Sequence, residues 1–188
     1  MPAGSPSQMR DMTRPRCKRR SPEHLEICGG EMKSARELSD FVPSDPAFQA
    51  RIQASFAKQG LMTSLGASLV HVAPGMVEIA LPASPSVSQQ HGFVHAGALA
   101  AIADTAAGYA ALSLMPPGVG VLTTEFKINL VAPAKGNRVR ARGRVVKAGR
   151  TLTLAQTEVV AETATGEKLV ALLTATLMVI EGREGIAD

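Results

Sequence analysis

Cysteine is nearly missing from this chain: there are two in 188 residues, Cys17 and Cys28. From residue 29 onward no thiol is available for a disulfide framework or a thiolate metal site. Histidine is also sparse, and no carboxylate or thiol joins the four histidines at ligand spacing, so no metal and no other cofactor is expected. A secretory signal is lacking too, because the basic N-terminal segment does not lead into an apolar run with a small-residue cleavage site. The most apolar stretch, residues 94–115, is rich in Ala and Gly rather than Leu and Ile, and His95 and Asp104 interrupt it. It reads as a buried helix instead of a membrane span, and a cytoplasmic location follows by default. No internal repeat and no second domain are visible.

The formal net charge of +4 is unevenly spread. RDMTRPRCKRR at 10–20 holds Arg10, Arg14, Arg16, Lys18, Arg19 and Arg20 against Asp11 alone. No aromatic residue lies among these cations, four prolines between Pro2 and Pro22 break any helix, and no helix-turn-helix is recognisable. Residues 1–44 are therefore expected to be a disordered basic tail with no nucleic-acid partner, and 183–188 a disordered C-terminus. Met32, at an abrupt change of composition, is a candidate alternative start. One domain over 45–182 remains, long enough for a real core.

Within it, Asp45-Pro46 predicts a helix start, with Phe48, Ile52, Phe56 and Ala57 near helical spacing through Lys58 and Gly60 as the stop. LGASLVHV and MVEIALP, divided by Ala73-Pro74-Gly75, read as a hairpin with Val77, Ile79 and Leu81 on one face. A loop, a long helix from about Val94 to Met115 and the breaker Pro116-Pro117-Gly118 follow. Four β-rich segments then succeed one another and suggest an antiparallel meander. In NRVRARGRVV, Val139, Ala141, Gly143 and Val145 alternate with four arginines, predicting one buried and one cationic face. The class is α+β: a curved antiparallel sheet wrapped around one long central helix.

Asp104 is the lone charge in SVSQQHGFVHAGALAAIADTAAGYAALSLM, residues 86–115. A carboxylate inside an apolar helix is costly unless it is used, either as a structural hydrogen-bonding group or as a catalyst. His95, ahead of the helix, reads on its own as a residue that ties down the loop, His71 as strand filler, and Lys147 and Arg150 as an ordinary turn.

QQHGFVHAGALAAIADTA resembles the active-site segment of the hotdog-fold acyl-CoA thioesterases of the phenylacetate-degradation (PaaI-like) group, and the likeness runs from about Phe48 to Ile180. It rests on the spacing of Gln89, His95 and Asp104, on the PG hairpin and on the KINLVAPA and KAGRTLT segments. The resemblance implies an acyl-CoA thioester hydrolase that releases free CoA and a carboxylic acid. Asp104 would act as general base or nucleophile, Gln89 would place the water or the carbonyl, and the Ala96 amide would polarise the thioester oxygen, with His95 and Gly97 shaping the turn. It also implies CoA contacts from Lys147, Gly149, Arg150 and Thr151, and from Asn129 toward the pantetheine arm. Tyr109, with Leu61 and Met62, would line the acyl chamber. Ala96 stands where Gly is usual, and Gly108 where several relatives carry a hydroxyl.

Ala96 and Asp104 are eight residues apart, which on one helix is about 12 Å of rise. They cannot serve one carbonyl within one chain, so a homodimer with antiparallel central helices and shared sites is expected, pairing into a homotetramer. Two other readings remain open: a hydratase or dehydratase of acyl thioesters on a similar architecture, and a non-catalytic acyl-CoA sensor or scaffold.

Overall fold

The computed structural model describes residues 41–182. The expected basic tail, Cys17, Cys28, Met32 and the C-terminal residues 183–188 lie outside them. The elements are α1 (Phe48–Phe56), α2 (Gly60–Leu65), β1 (Ser68–Ala73), β2 (Met76–Pro82), α3 (Ala96–Leu112), β3 (Gly120–Leu130), β4 (Arg138–Lys147), β5 (Leu152–Thr163) and β6 (Gly166–Ile180). A single 3-10 turn, Pro85–Val87, lies between β2 and α3.

Asp45 starts the ordered path by accepting the Ala47 N–H at 2.8 Å. Gly60 does not stop a helix as expected; it opens α2, which consumes Leu65 and ends at Gly66, φ 71°. The first strand is shortened accordingly and begins at Ser68. Ala57, expected on the apolar face of α1, is exposed, while Phe48 and Ile52 are buried.

The six strands form one antiparallel sheet in the order β1-β2-β4-β5-β6-β3. The meander expectation holds for β4, β5 and β6 and fails for β3. That strand pairs with β6, Phe126 opposite Ala175 and Ile128 opposite Leu173, and forms the far edge. Strand order is a property of long-range pairing, and local periodicity carries no record of it.

Helix α3 lies across the inner face of this sheet. Its alanines are strong helix formers and small enough to let two backbones approach closely. Ala103, Ala106, Ala107 and Ala110 are fully buried. Under them runs β4, where Gly143 comes so near that a Cβ there would lie 2.4 Å from the Ala106 carbonyl carbon. Val77, Ile79, Leu81, Val139 and Ala141 complete the seat, all at 0–1 % exposure.

The C-terminal end of α3 is held by α1. The Arg51 guanidinium donates to the carbonyls of Leu112, Met115 and Pro116 at 3.0, 2.8 and 2.6 Å, satisfying acceptors that the helix end leaves open.

The outer face of β4 differs from expectation. Its arginines are neutralised across the strands: Arg138 and Arg140 donate to Glu162, Arg140 and Arg142 to Glu78, Arg142 to Glu167, and Arg144 lies 3.7 Å from Glu158. Hydrogen bonds from Arg138, then Arg140, hold the Glu162 carboxyl below the usual range. The face is a ladder of paired charges. Among the described residues no helix is long and apolar enough to cross a membrane.

Candidate active site

The two ends of α3 open into two separate cavities. One, of about 580 Å³, lies at the N-terminal end and is lined by Gln89, His95, Ala96, Leu99, Leu130 and Val131 among others. The second, of about 540 Å³, lies along the later turns and is lined by Asp104, Thr105, Gly108 and Tyr109 of α3, Gln59 and Leu61 near α2, and Val121 to Thr123 of β3. The predicted site residues are thus divided between two places in one chain. Gln89, His95 and Ala96 come together at one, and Asp104 and Tyr109 at the other.

At the first end, a bridged loop sets the start of the helix. Ser88 pairs with Val94, Gly92 takes φ 77°, and His95 N–H donates to Val87 O at 2.8 Å. His95 is the N-cap, with Nδ1 accepting the Gly97 N–H at 2.9 Å, so its tie-down role is visible in the geometry. That bond requires the tautomer protonated on Nε2. A Cβ at Gly97 would lie 3.0 Å from His95 Nδ1, which explains why the turn has glycine there.

The first-turn amides can then be accounted for one by one. Gly97 N–H goes to the His95 ring, and those of Ala98 and Leu99 go to His95 O. The Ala96 N–H has no acceptor among the described residues, and Ala96 is exposed. Gln89 is prepared in a similar way. Its Oε1 accepts the His91 N–H at 2.8 Å, which identifies the other end of the side-chain amide as the NH2 donor, and Gln89 lines the cavity. A free backbone N–H at a helix N-terminus beside a side-chain amide donor suits a developing negative oxygen.

At the second end, Asp104 is half-buried. Thr123 Oγ1 donates to Asp104 Oδ1 at 2.8 Å, and Asp104 lines the cavity. Burial pushes the Asp104 carboxyl above its ordinary value, and the Thr123 hydrogen bond works against that rise without cancelling it. Sequence reasoning missed Thr123. The signal was present, because Thr123 shares the inward face of its strand with Val121.

Tyr109 also lines this cavity. Its hydroxyl shares a hydrogen bond with Ser55 Oγ at 3.1 Å and accepts from Gln59 Nε2 at 2.9 Å. Its ring tilts against Phe56 with centroids 6.1 Å apart. Leu61 lies on the rim, but Met62, expected beside it, is turned into the core at 1 % exposure. Lys147, Gly149, Arg150 and Thr151 form the exposed β4–β5 turn and line neither cavity. A Cβ at Gly149 would lie 2.4 Å from Leu152 O, so the turn's shape depends on that glycine. The register nevertheless brings this turn to the end of the sheet that holds Asp104: Leu152 lies opposite Met178, and Met178 opposite the rim residue Leu122. Asn129 is exposed on β3 opposite Leu172 and lines neither cavity. Among the described residues no cluster of three metal-ligating side chains occurs.

The chain is similar to several known proteins. The family model described as the thioesterase superfamily matches residues 91–167, which include the α3 N-cap and Asp104. A thioesterase family protein from Silicibacter pomeroyi is 44 % identical with a TM-score of 0.71, over 72 % of this chain and 99 % of that one. The phenylacetic acid degradation protein PaaI of Thermus thermophilus is 30 % identical with a TM-score of 0.56, over 64 % of this chain and 98 % of that one. The 1,4-dihydroxy-2-naphthoyl-CoA hydrolase of Listeria monocytogenes is 26 % identical over 66 % of this chain and 99 % of that protein. With the sheet, the central helix and this coverage agreeing, the chain belongs to the thioesterase superfamily, thioester hydrolases of the hotdog fold.

Proposed function

We propose that the protein is an acyl-CoA thioester hydrolase whose sites are shared between two copies of the chain, Asp104 coming from one and Gln89 and the Ala96 amide from the other. The observation that carries this reading is the separation of two complementary half-sites along one unbroken helix. A carboxylate with a raised pKa lies in one cavity, an unpaired amide lies in the other, and the helix holds their residues about 12 Å apart. Antiparallel packing of two such helices about a twofold axis would bring each half to its complement. The surface that α3 leaves open suits such packing. Ala96, Gly97, Ala100, Ala101 and Thr105 are small and incompletely buried, and beside them the edge strand β3 exposes Phe126 and Leu130.

The chemistry follows from the two halves. Asp104 takes a proton from water, whose oxygen bonds to the thioester carbon, or its own Oδ2 attacks that carbon. The carbonyl oxygen gains charge against the Ala96 N–H of the partner subunit and the amide of the partner's Gln89. The carbon–sulfur bond then breaks and the thiolate of CoA leaves. On the water route it takes up the proton Asp104 received and a carboxylic acid remains, whereas on the nucleophilic route the acyl–Asp104 anhydride is opened by water, which yields the carboxylic acid, restores Asp104 and supplies the thiolate's proton. A carboxyl pKa raised toward neutrality makes a stronger base. Lys147, Arg150 and Thr151, on the turn shaped by Gly149, would meet the anionic nucleotide, and Asn129 the pantetheine arm. A CoA thioester is also the substrate named for the listerial relative.

The test is release of free thiol from acyl-CoA esters. Asp104→Asn should lower kcat by about 10²- to 10⁴-fold, the usual contribution of a general base. Mixed dimers of Asp104→Ala and Gln89→Ala chains contain one intact site each and should regain activity that neither parent has. Absence of recovery in verified heterodimers would reject the shared site, and absence of thiol release by the wild type would reject the hydrolase.

A further inference from the structure

Most glycines among the described residues either sit at positive φ or, like Gly136, Gly143 and Gly149, leave no room for a Cβ, and Gly108 does neither. It lies inside α3, away from either cap, where glycine weakens a helix relative to alanine. A Cβ added to it would meet nothing within 4 Å. The helix uses alanine at Ala103, Ala106, Ala107 and Ala110, where it touches the sheet, and gives up a side chain here, where it faces a cavity. Chain packing does not require the missing methyl.

Gly108 lies one helical turn beyond Asp104, about 6 Å along the axis, and both line the same cavity. Tyr109, the next residue, lines the same cavity with Ser55 and Gln59 and is braced by them: both hydrogen-bond its hydroxyl, and Phe56 tilts against its ring. Leu61, Val121 and Leu122 supply the apolar sides.

We infer that Gly108 is a specificity-determining residue: the space over it receives the acyl group of the substrate, and the Ser55–Gln59–Tyr109 wall limits its length. This rests on the placement of hydrolysis at Asp104. The acyl group that fits is short and broader than a linear chain, one that fills the width left by the absent side chain and stops at the wall.

The experiment is a thiol-release ladder of acetyl-, hexanoyl-, benzoyl- and palmitoyl-CoA with wild type, Gly108→Ala and Gly108→Val, alongside light scattering of each protein. Wild type should favour benzoyl-CoA and use palmitoyl-CoA poorly. Gly108→Val should lower the ratio of kcat/KM for benzoyl-CoA to that for acetyl-CoA by about tenfold or more, the scale on which added methyl groups discriminate in an apolar pocket. Gly108→Ala should shift the ratio the same way by less while raising Tm, since alanine is the better helix former. It also keeps the test open if the valine chain fails to fold. An unchanged ratio, an equal loss on every ester, or dissociation of the Gly108→Ala oligomer would overturn the assignment, the last by showing that the glycine serves helix-to-helix approach. A wild type that releases thiol from no ester would instead reject the hydrolase itself.

Discussion

Helix α3 has two faces built on opposite rules. Toward the sheet it is filled completely: Ala103, Ala106, Ala107 and Ala110 have no exposed surface, and Gly143 of β4 has given up its side chain so that the helix backbone can come closer. Away from the sheet the same helix carries Asp104, Thr105 and Gly108 around open space. Both faces use small residues, but one uses them to remove volume and the other to leave it. Glycine on a helix or strand therefore has two meanings, and only the surroundings tell them apart.

The packed face is where a single methyl should do most harm. In Gly143→Ala the new Cβ would meet backbone of α3 at 2.4 Å, and backbone cannot swing aside as a flexible side chain can. Overpacking of this kind costs about 3 kcal/mol. For a domain of this size that lowers Tm by several degrees in thermal unfolding. An unchanged Tm would mean that helix and sheet are not in contact there, and the contrast between the faces would fail.

The packed face was also the more legible one. The alternation of Val139, Ala141, Gly143 and Val145 and the alanine content of residues 94–115 state in one dimension which surfaces are buried. Asp104 was legible as an anomaly, because a lone charge in an apolar helix needs a reason. What the chain could not reveal depends on partners distant in sequence. The edge position of β3 is fixed by pairing with β6, more than forty residues later, as Phe126 with Ala175 shows. The neutralised arginines depend on Glu78 and Glu162 on the two strands beside β4 and on Glu167 one strand further along the sheet. Alternation with Val121 puts Thr123 on an inward face, but its role lies in meeting Asp104, nineteen residues before it. Nothing in the sequence separates Met62 from Leu61, yet the short helix α2, most of it between the expected helix stop at Gly60 and the expected strand, turns one inward and the other outward.

The open face can be sharpened at Thr123. Its hydroxyl orients Asp104 through Oδ1 and lowers a pKa that burial raises. Thr123→Val keeps the shape and removes the donor, so the carboxyl pKa should rise further and the acid limb of the kcat/KM profile should move to higher pH. A hydrogen bond to a charged group contributes about 1.5 kcal/mol at the lower end, so activity at neutral pH should fall about tenfold. Thr123→Ser should restore both rate and pH profile. A rate loss without a shift in the acid limb would assign Thr123 a packing role alone.

The smallest effect separates a functional carboxylate from a structural one. Because burial raises the Asp104 pKa, the folded chain binds this proton more tightly than the unfolded chain does. Its stabilising contribution is fully present below the ordinary carboxylate value of about 4 and is lost as pH rises through the raised native value. Above that native value the fold therefore holds an ionised group where a neutral one would suit it better. Asp104→Asn keeps an acceptor for Thr123 and removes the charge, so it should raise Tm modestly at pH 7 while abolishing most activity. The gain should shrink toward zero as the pH falls below the native pKa. A structural carboxylate predicts the reverse, a lower Tm at pH 7 on amidation, and that result would place Asp104 with the packed face of its helix rather than the open one.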